Sequence, residues 1–136
     1  MGEDALWNAA KDGDVAALQA LLAAGADVNQ EDTNGETLLY VAAENGHVMA
    51  VRQLIEQGAA ADQANNFDEK TPLYAAAKEG HELVVRLLLE NGAAVNQATY
   101  DHETPLLAAA GNGHEPVVRA LLEKRATAVR RHRMAW

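Results

Sequence analysis

The sequence predicts an all-α solenoid in which helix-turn-helix units stack side by side. Four segments of the 136-residue chain align at offsets of 33 or 34 residues, and such a period is the signature of a repeat architecture. Each segment carries two stretches whose apolar residues recur at helical spacing. Aromatic residues make up only 4% of the chain, so the core has to be built from Leu, Val and Ala, which suits closely packed helices.

The first block of each repeat predicts a short helix with a defined start and stop. Threonine can cap the helix through its hydroxyl, and proline in the first turn is preorganised for it. A glycine then follows where a left-handed residue is needed to end the helix. The aligned blocks are DALWNAAKDGD (4–14), TLLYVAAENGH (37–47), TPLYAAAKEGH (71–81) and TPLLAAAGNGH (104–114).

The second block predicts a helix with one buried stripe, because apolar residues recur at i, i+3 and i+4. The stripes are Leu18/Leu21/Leu22, Val51/Leu54/Ile55, Val85/Leu88/Leu89 and Val118/Leu121/Leu122. In the first three units a glycine then precedes a polar stretch. A single unit cannot bury both of its faces, so stability has to come from stacking neighbouring units.

The block at 71–81 resembles the ankyrin repeat signature T-P-L-H-x-A. The resemblance covers about residues 4–126 and implies antiparallel helix pairs whose connecting β-turn fingers project at about a right angle. We expect one ankyrin repeat domain at 1–126, followed by a basic tail at 127–136. Its units are expected at about 1–31, 32–65, 66–98 and 99–126.

The fingers and the ends of the chain depart from the family pattern. Gly35 keeps the turn glycine of the family, whereas Glu69 and His102 replace it, so the sequence leaves the conformation of these two fingers open. One extra residue lies near Asn65. The first unit carries Asp4, Trp7 and Asp14 at positions that differ in the interior units, which fits an end unit with a polar outer side. The last unit has Arg125 in place of glycine, and the path of the residues after it stays open.

Charge and composition exclude several functions. Residues 1–122 carry a formal charge of −13 and residues 123–136 carry +4, so phosphate repulsion opposes nucleic-acid binding everywhere except at the tail. No apolar run approaches the roughly 18 residues of a membrane span, and no signal-peptide pattern begins the chain. We expect a soluble monomer, cytoplasmic by default, with no membrane contact.

No residue pattern predicts catalysis, a metal site or a cofactor. His47, His81 and His114 follow the helix-stop glycines, but equivalent residues on stacked helices stand about 8–10 Å apart, whereas zinc holds its ligands at about 2 Å. We therefore interpret them as braces between neighbouring units. The chain has no Ser or Cys nucleophile, no phosphate-binding loop and no H-E-x-x-H motif. We expect a protein that is not an enzyme.

Two aromatic residues indicate a binding site. Phe67 and Tyr100 each lie four residues before the capping threonine of their unit, at matching finger tips where large side chains have little to pack against. Exposed aromatics on a rigid scaffold are typical of an interaction hot spot. The alternative for Phe67 is that it tucks under the irregular finger at 63–70. For Tyr40 and Tyr74 we expect packing within the stack and one hydroxyl hydrogen bond.

The resemblance further implies that the fingers and the inner face of the first helices form one concave surface, which we call the finger strip. It comprises Thr33, Asn34, Glu36, Glu44 and Asn45 in the second unit, Phe67, Asp68, Lys70, Lys78 and Glu79 in the third, and Tyr100, Asp101, Glu103 and Asn112 in the fourth. Four units at about 10 Å each give a strip of about 40 Å, enough for a standard interface of about 800 Å² per partner.

These features predict a protein-protein interaction module whose partner is a protein or peptide with a basic and partly apolar patch. Two alternatives stay open. The chain can be a regulatory or targeting segment of a larger enzyme or channel, which a longer reading frame would reveal. The basic tail can contact nucleic acid, which a salt-dependent binding assay with and without residues 126–136 would test.

Overall fold

The computed structural model describes the backbone of residues 2–134 and the side chains of residues 5–125. Within this part of the chain the regular structure is helical, apart from one isolated bridge between Glu31 and Thr37. The prediction of an all-α repeat solenoid is confirmed. The helices are α1 (Gly2–Asp12), α2 (Val15–Ala23), α3 (Leu38–Glu44), α4 (Val48–Glu56), α5 (Pro72–Glu79), α6 (Glu82–Glu90), α7 (Pro105–Gly111) and α8 (Glu115–Met134).

The eight helices form two layers. The first helices of the units (α1, α3, α5 and α7) contact one another in chain order, and so do the second helices (α2, α4, α6 and α8). Within each unit the two helices also pack together. The apolar residues of both layers join in one continuous core, so each interior unit is covered on both sides by its neighbours.

The predicted caps explain why the first helices begin and end where they do. The hydroxyls of Thr37, Thr71 and Thr104 accept hydrogen bonds from the backbone N–H three residues later, at 3.1, 3.1 and 3.2 Å. Gly80 ends α5 in the left-handed region at φ 81°, which costs a residue without a Cβ little. The equivalent glycines of the other three units adopt φ values of 73–75°.

The buried stripes agree with the prediction in the interior units and fail at one position of the last unit. Val85, Leu88 and Leu89 are all buried in α6. In α8 the side chain of Leu122 is 46% exposed, whereas Val117 is fully buried. The prediction for Leu122 is wrong because the outer side of the last unit has no further unit packed over it in the described part of the chain.

Each of the three fingers has a left-handed residue directly before its closing residue, although only one of them has the turn glycine there. The second finger is one residue longer than the other two, since it closes from Asn65 to Lys70. The φ angles are 74° at Gly35, 56° at Glu69 and 65° at His102. A left-handed conformation costs a residue with a Cβ roughly 1 kcal/mol or more. Hydrogen bonds between the finger ends offset that cost: the N–H groups of Asp32, Asn65 and Thr99 donate to the carbonyls of Glu36, Lys70 and Glu103 at 3.0, 2.9 and 2.9 Å.

The two ends of the stack differ from the interior. In the first unit the carboxylate of Asp14 accepts a hydrogen bond from the N–H of Ala17 at 3.1 Å, and Trp7 is half-buried against the core. The side chain of Asp4 lies outside the described residues. At the other end, α8 continues through Met134, so the backbone of the tail extends the last helix as far as that residue. Among the described residues no helix is long and apolar enough to cross a membrane.

Candidate protein-binding surface

Phe67 and Tyr100 lie on neighbouring finger tips with most of their side chains in solvent. They are 70% and 69% exposed, so the expected exposure is confirmed and the alternative of a tucked Phe67 is wrong. The N–H of Tyr100 donates to the carbonyl of Asp68 at 2.8 Å. This bond ties the third finger to the second, and it fixes the spacing of the two aromatic residues.

Polar side chains near the finger ends tie each finger to the next. The N–H of Ala60 donates to the side-chain oxygen of Asn29 at 2.8 Å, and the N–H of Ala94 donates to Asp62 at 2.9 Å. Asn29 and Asp62 occupy equivalent positions in successive units. Neither residue was predicted to have this role, although a polar residue recurring at one position of the repeat was a signal for it. These bonds hold the finger strip in place before any partner binds.

Tyr74 joins the third and fourth units beneath the aromatic tips. Its ring is buried with 5% exposure, and its hydroxyl donates to Oε1 of Glu103 at 2.6 Å. Burial and this hydrogen bond to Glu103 raise the pKa of Tyr74. Tyr40 is buried at the equivalent position one unit earlier. The expected packing is confirmed for both tyrosines, and the hydroxyl bond is confirmed for Tyr74.

Lys70 is held by an internal partner. Its Nζ lies 3.0 Å from Oδ2 of Asp68 and 5.9 Å from the centroid of the Tyr74 ring, within reach of a cation–π interaction. Partial burial disfavours the charged form of Asp68, but hydrogen bonding to Lys70 leaves its pKa below the usual value. The positive charge of Lys70 is therefore largely compensated within the second finger.

The carboxylates of the second unit are crowded. Partial burial raises the pKa of Glu36, and the neighbouring charges of Asp32 and Glu44 raise it further. Burial also raises the pKa of Glu44, with Glu79 adding to the shift and nearby lysines opposing it. A raised pKa means that the charged form is disfavoured in the free protein. A cation placed between these groups would relieve that cost.

Most of the remaining side chains of the finger strip are exposed, and two of them already form hydrogen bonds within their own helices. Lys78, Glu79 and Asp101 are exposed. The amide nitrogens of Asn45 and Asn112 donate to carbonyls of their own helices at 2.8 and 2.7 Å, so both amides already serve to end a helix. Thr33 and Asn34 are exposed on the first finger tip, which carries no aromatic residue. All fourteen residues of the strip are exposed or half-buried. Their role in binding stays a prediction.

The histidines after the glycine stops contact the preceding unit. The Nε2–H of His47 donates to the carbonyl of Lys11 at 2.7 Å, and that of His81 donates to the carbonyl of Glu44 at 2.9 Å. These contacts agree with the interpretation of the histidines as braces. Among the described residues no group of three or more His, Asp or Glu side chains is placed to hold a metal ion.

A second exposed apolar pair was not predicted. Met49 and Leu83 are 62% and 65% exposed and occupy equivalent positions in α4 and α6, in the layer of second helices. Each lies one residue after the start of its helix, off the buried stripe. The signal was an apolar residue at the same outward position of two successive units. These residues offer a matched comparison for Phe67 and Tyr100.

An open stack of helix pairs with a preorganised surface of fingers defines a repeat scaffold. A sequence model of the family described as "Ankyrin repeats (3 copies)" matches residues 6–99 and 58–132, which together cover most of the chain. The protein belongs to the ankyrin repeat family. Ankyrin repeats are generally protein-protein interaction modules and are typically non-catalytic. No curated protein matches the chain.

Proposed function

We propose that this protein is a non-catalytic binding module that holds a partner protein or peptide on the finger strip. The observation that carries the proposal is the pair of aromatic side chains on tied finger tips, about 70% exposed each. Aromatic residues in contact with a partner supply much of the binding energy of an interface. Because the tips are linked by a backbone hydrogen bond, little backbone conformational entropy is lost when they are covered.

The chemistry of the strip favours a basic and partly apolar partner. Six of its fourteen side chains are acidic and two are lysines, and Lys70 is already paired with Asp68. The crowded carboxylates of Glu36 and Glu44 would gain a counter-charge from an arginine or lysine of the partner. Electrostatic attraction would set selectivity and speed of association, while the aromatic tips would supply most of the affinity.

The experiment compares two double variants that remove exposed apolar side chains from different layers. Peptides are first selected on the wild type from a displayed random library. We expect selected peptides to combine Arg or Lys with apolar residues. The single changes Phe67→Ala and Tyr100→Ala should each weaken their binding by about 1–3 kcal/mol, with little change in thermal unfolding, because both side chains lie in solvent.

The matched control is Met49→Ala with Leu83→Ala, which removes a comparable exposed pair from the second helices. This control should leave affinity unchanged. Full-strength binding by the Phe67/Tyr100 double variant, or selected peptides without basic residues, would contradict the proposal. A titration with salt adds a further check, since the association rate should fall as ionic strength rises.

A further inference from the structure

Asparagine followed by glycine occurs four times in this chain, and the four pairs differ in how the asparagine side chain is held. In such a pair the backbone nitrogen of the glycine can attack the carbon of the asparagine amide, because a residue without a Cβ leaves that nitrogen unhindered. The attack turns asparagine, a thermally labile residue, into a carboxylate. The pairs are Asn34–Gly35, Asn45–Gly46, Asn91–Gly92 and Asn112–Gly113.

Three of the four asparagines are held in a position that opposes this attack. Asn45, Asn91 and Asn112 directly follow α3, α6 and α7. In each of them Nδ2 donates to the backbone carbonyl four residues earlier, at 2.8, 2.8 and 2.7 Å. Such a bond directs the amide back along its own helix, whereas the nitrogen of the glycine lies ahead of it. The amide carbon therefore cannot reach that nitrogen until the helix end opens.

Asn34 lies exposed on the first finger tip, and no hydrogen bond within residues 5–125 holds its side-chain amide. Its backbone N–H donates to Oδ1 of Asp32 at 2.8 Å, which leaves the amide free to rotate until its carbon lies against the nitrogen of Gly35. That nitrogen donates to the carbonyl of Asp32 at 3.0 Å, so the attack also requires the turn to open. Surface turns are among the segments of a protein that open most readily.

We propose that Asn34 is a self-modifying site on the finger strip, which converts to aspartate and isoaspartate faster than the other three asparagine–glycine pairs of the chain. The nitrogen of Gly35 loses its proton and forms a bond to Cγ of Asn34. The bond from Cγ to Nδ2 then breaks, and the amide nitrogen takes up a proton and leaves as ammonia. Water opens the resulting cyclic imide: opening at Cγ gives aspartate, and opening at the backbone carbonyl carbon gives isoaspartate. Neither step changes an oxidation state.

The two products differ in their effect on the neighbouring finger. Aspartate adds a negative charge and leaves the backbone unchanged. Isoaspartate also inserts a methylene carbon into the backbone directly before Gly35, which is in close contact with the second finger. A Cβ on Gly35 would lie 2.5 Å from Cγ and 2.7 Å from the backbone nitrogen of Asn66. A contact packed this closely has no room for a longer backbone, so isoaspartate should loosen the contact between the first two fingers.

The first experiment measures the rate of conversion at each pair. The full chain is incubated in mildly alkaline buffer, folded in one sample and unfolded by guanidinium chloride in another, and mass spectrometry of its peptides follows the four sites separately. In the unfolded chain we expect similar rates, because the four sites share the same asparagine–glycine sequence. In the folded chain Asn34 should react at least about tenfold faster than Asn45, Asn91 or Asn112, whose amides react only after local opening.

Two variants of Asn34 serve as controls. Asn34→Gln keeps an amide on the finger tip but moves its carbon one bond further from the glycine nitrogen, so conversion at this position should be lost. Asn34→Asp carries the added charge on an unchanged backbone and is compared with converted wild type isolated by anion exchange. The N–H of Asn65, which donates to the carbonyl of Lys70 at 2.9 Å, should exchange its hydrogen at least about threefold faster in the converted chain than in Asn34→Asp.

Other results would overturn the proposal. Equal rates at the four sites of the folded chain, or no conversion of Asn34 there, would show that the free amide gives no advantage. A faster rate at Asn91, which precedes an exposed glycine, would assign the site to the end of α6 instead. Conversion of Asn34→Gln at the wild-type rate would exclude the cyclic imide. Equal exchange at Asn65 in the converted chain and in Asn34→Asp would remove the effect on the second finger. These measurements use no binding partner, so their failure and a failure of the proposed function are separate results.

Discussion

The third and fourth units are built on the same sequence pattern, yet they differ in which of their equivalent residues are buried. Ala77 is fully buried and Ala110 is exposed; Tyr74 is buried and Leu107 lies mostly in solvent. The first helices of the two units, their threonine caps and the glycines that follow them correspond. Burial in this fold therefore depends on the neighbouring unit, so one sequence position can serve as core in one repeat and as surface in the next.

The largest difference between the two units is expected when the equivalent leucine is truncated in each. Leu89→Ala should lower the free energy of unfolding by about 2–4 kcal/mol, because it leaves a cavity beneath the fourth unit. Leu122→Ala should cost less than about 1 kcal/mol, because nearly half of that side chain is already in solvent. Urea denaturation of both variants measures the two values. Equal losses would mean that Leu122 is covered in solution.

A smaller effect should come from the bond that joins the two units. Tyr74→Phe keeps the buried ring and removes the hydroxyl that donates to Glu103, so we expect a loss of about 1 kcal/mol in unfolding free energy. Tyr100→Phe is the control, since that side chain is exposed and its hydroxyl change should be neutral. Thermal unfolding at one ionic strength compares the pair. A neutral Tyr74→Phe would show that the bond adds nothing to stacking.

The smallest change in unfolding free energy should come from replacing a glutamate by glutamine. The replacement should stabilise the protein at Glu36 in the second unit and destabilise it at Glu103 in the fourth. Partial burial, together with the neighbouring negative charges, raises the pKa of Glu36, so its charged form weakens the fold as pH rises from the ordinary carboxyl range through the raised folded-state value. Glu36→Gln should therefore stabilise the protein at neutral pH by about 0.2–0.5 kcal/mol after solvent screening.

That gain should vanish in acid, where Glu36 is protonated in both the folded and the unfolded state. Glu103→Gln should instead destabilise the protein at neutral pH, because it weakens the bond to Tyr74. Urea unfolding of both variants across pH checks the signs. A stabilising effect of Glu36→Gln that persists below the ordinary carboxyl pKa would contradict an electrostatic origin.

The helices and the order of the units could be predicted from sequence because their signals are local and repeated. Threonine caps, glycine stops and apolar periodicity act within a few residues, so Thr71 and Gly80 specify the ends of α5 without reference to the rest of the chain. Leu122 was placed in the core by the same periodicity, which cannot report whether another unit lies on top. The continuation of α8 was open for a related reason, because Arg125 removes the stop without setting the path of the residues beyond it.

The candidate site was only partly predictable. The exposure of Phe67 and Tyr100 could be inferred from their offsets before the capping threonines, but the bond between their fingers involves backbone groups that any sequence carries. The pairing of Lys70 with Asp68 depends on the folded path of the finger, so counting charges along the chain overstated the free positive charge of the strip. The exposure of Met49 and Leu83 was missed because both residues lie outside the periodic stripe that marks the buried face.

The left-handed Glu69 and His102 have a consequence for how this protein could be re-engineered. These two fingers form without a turn glycine because backbone hydrogen bonds close them at their ends. The outermost side chains are therefore not needed to hold the fingers in place. The residues at positions 33, 67 and 100 could therefore be substituted together to redirect the module toward a different target, with little loss of folding stability.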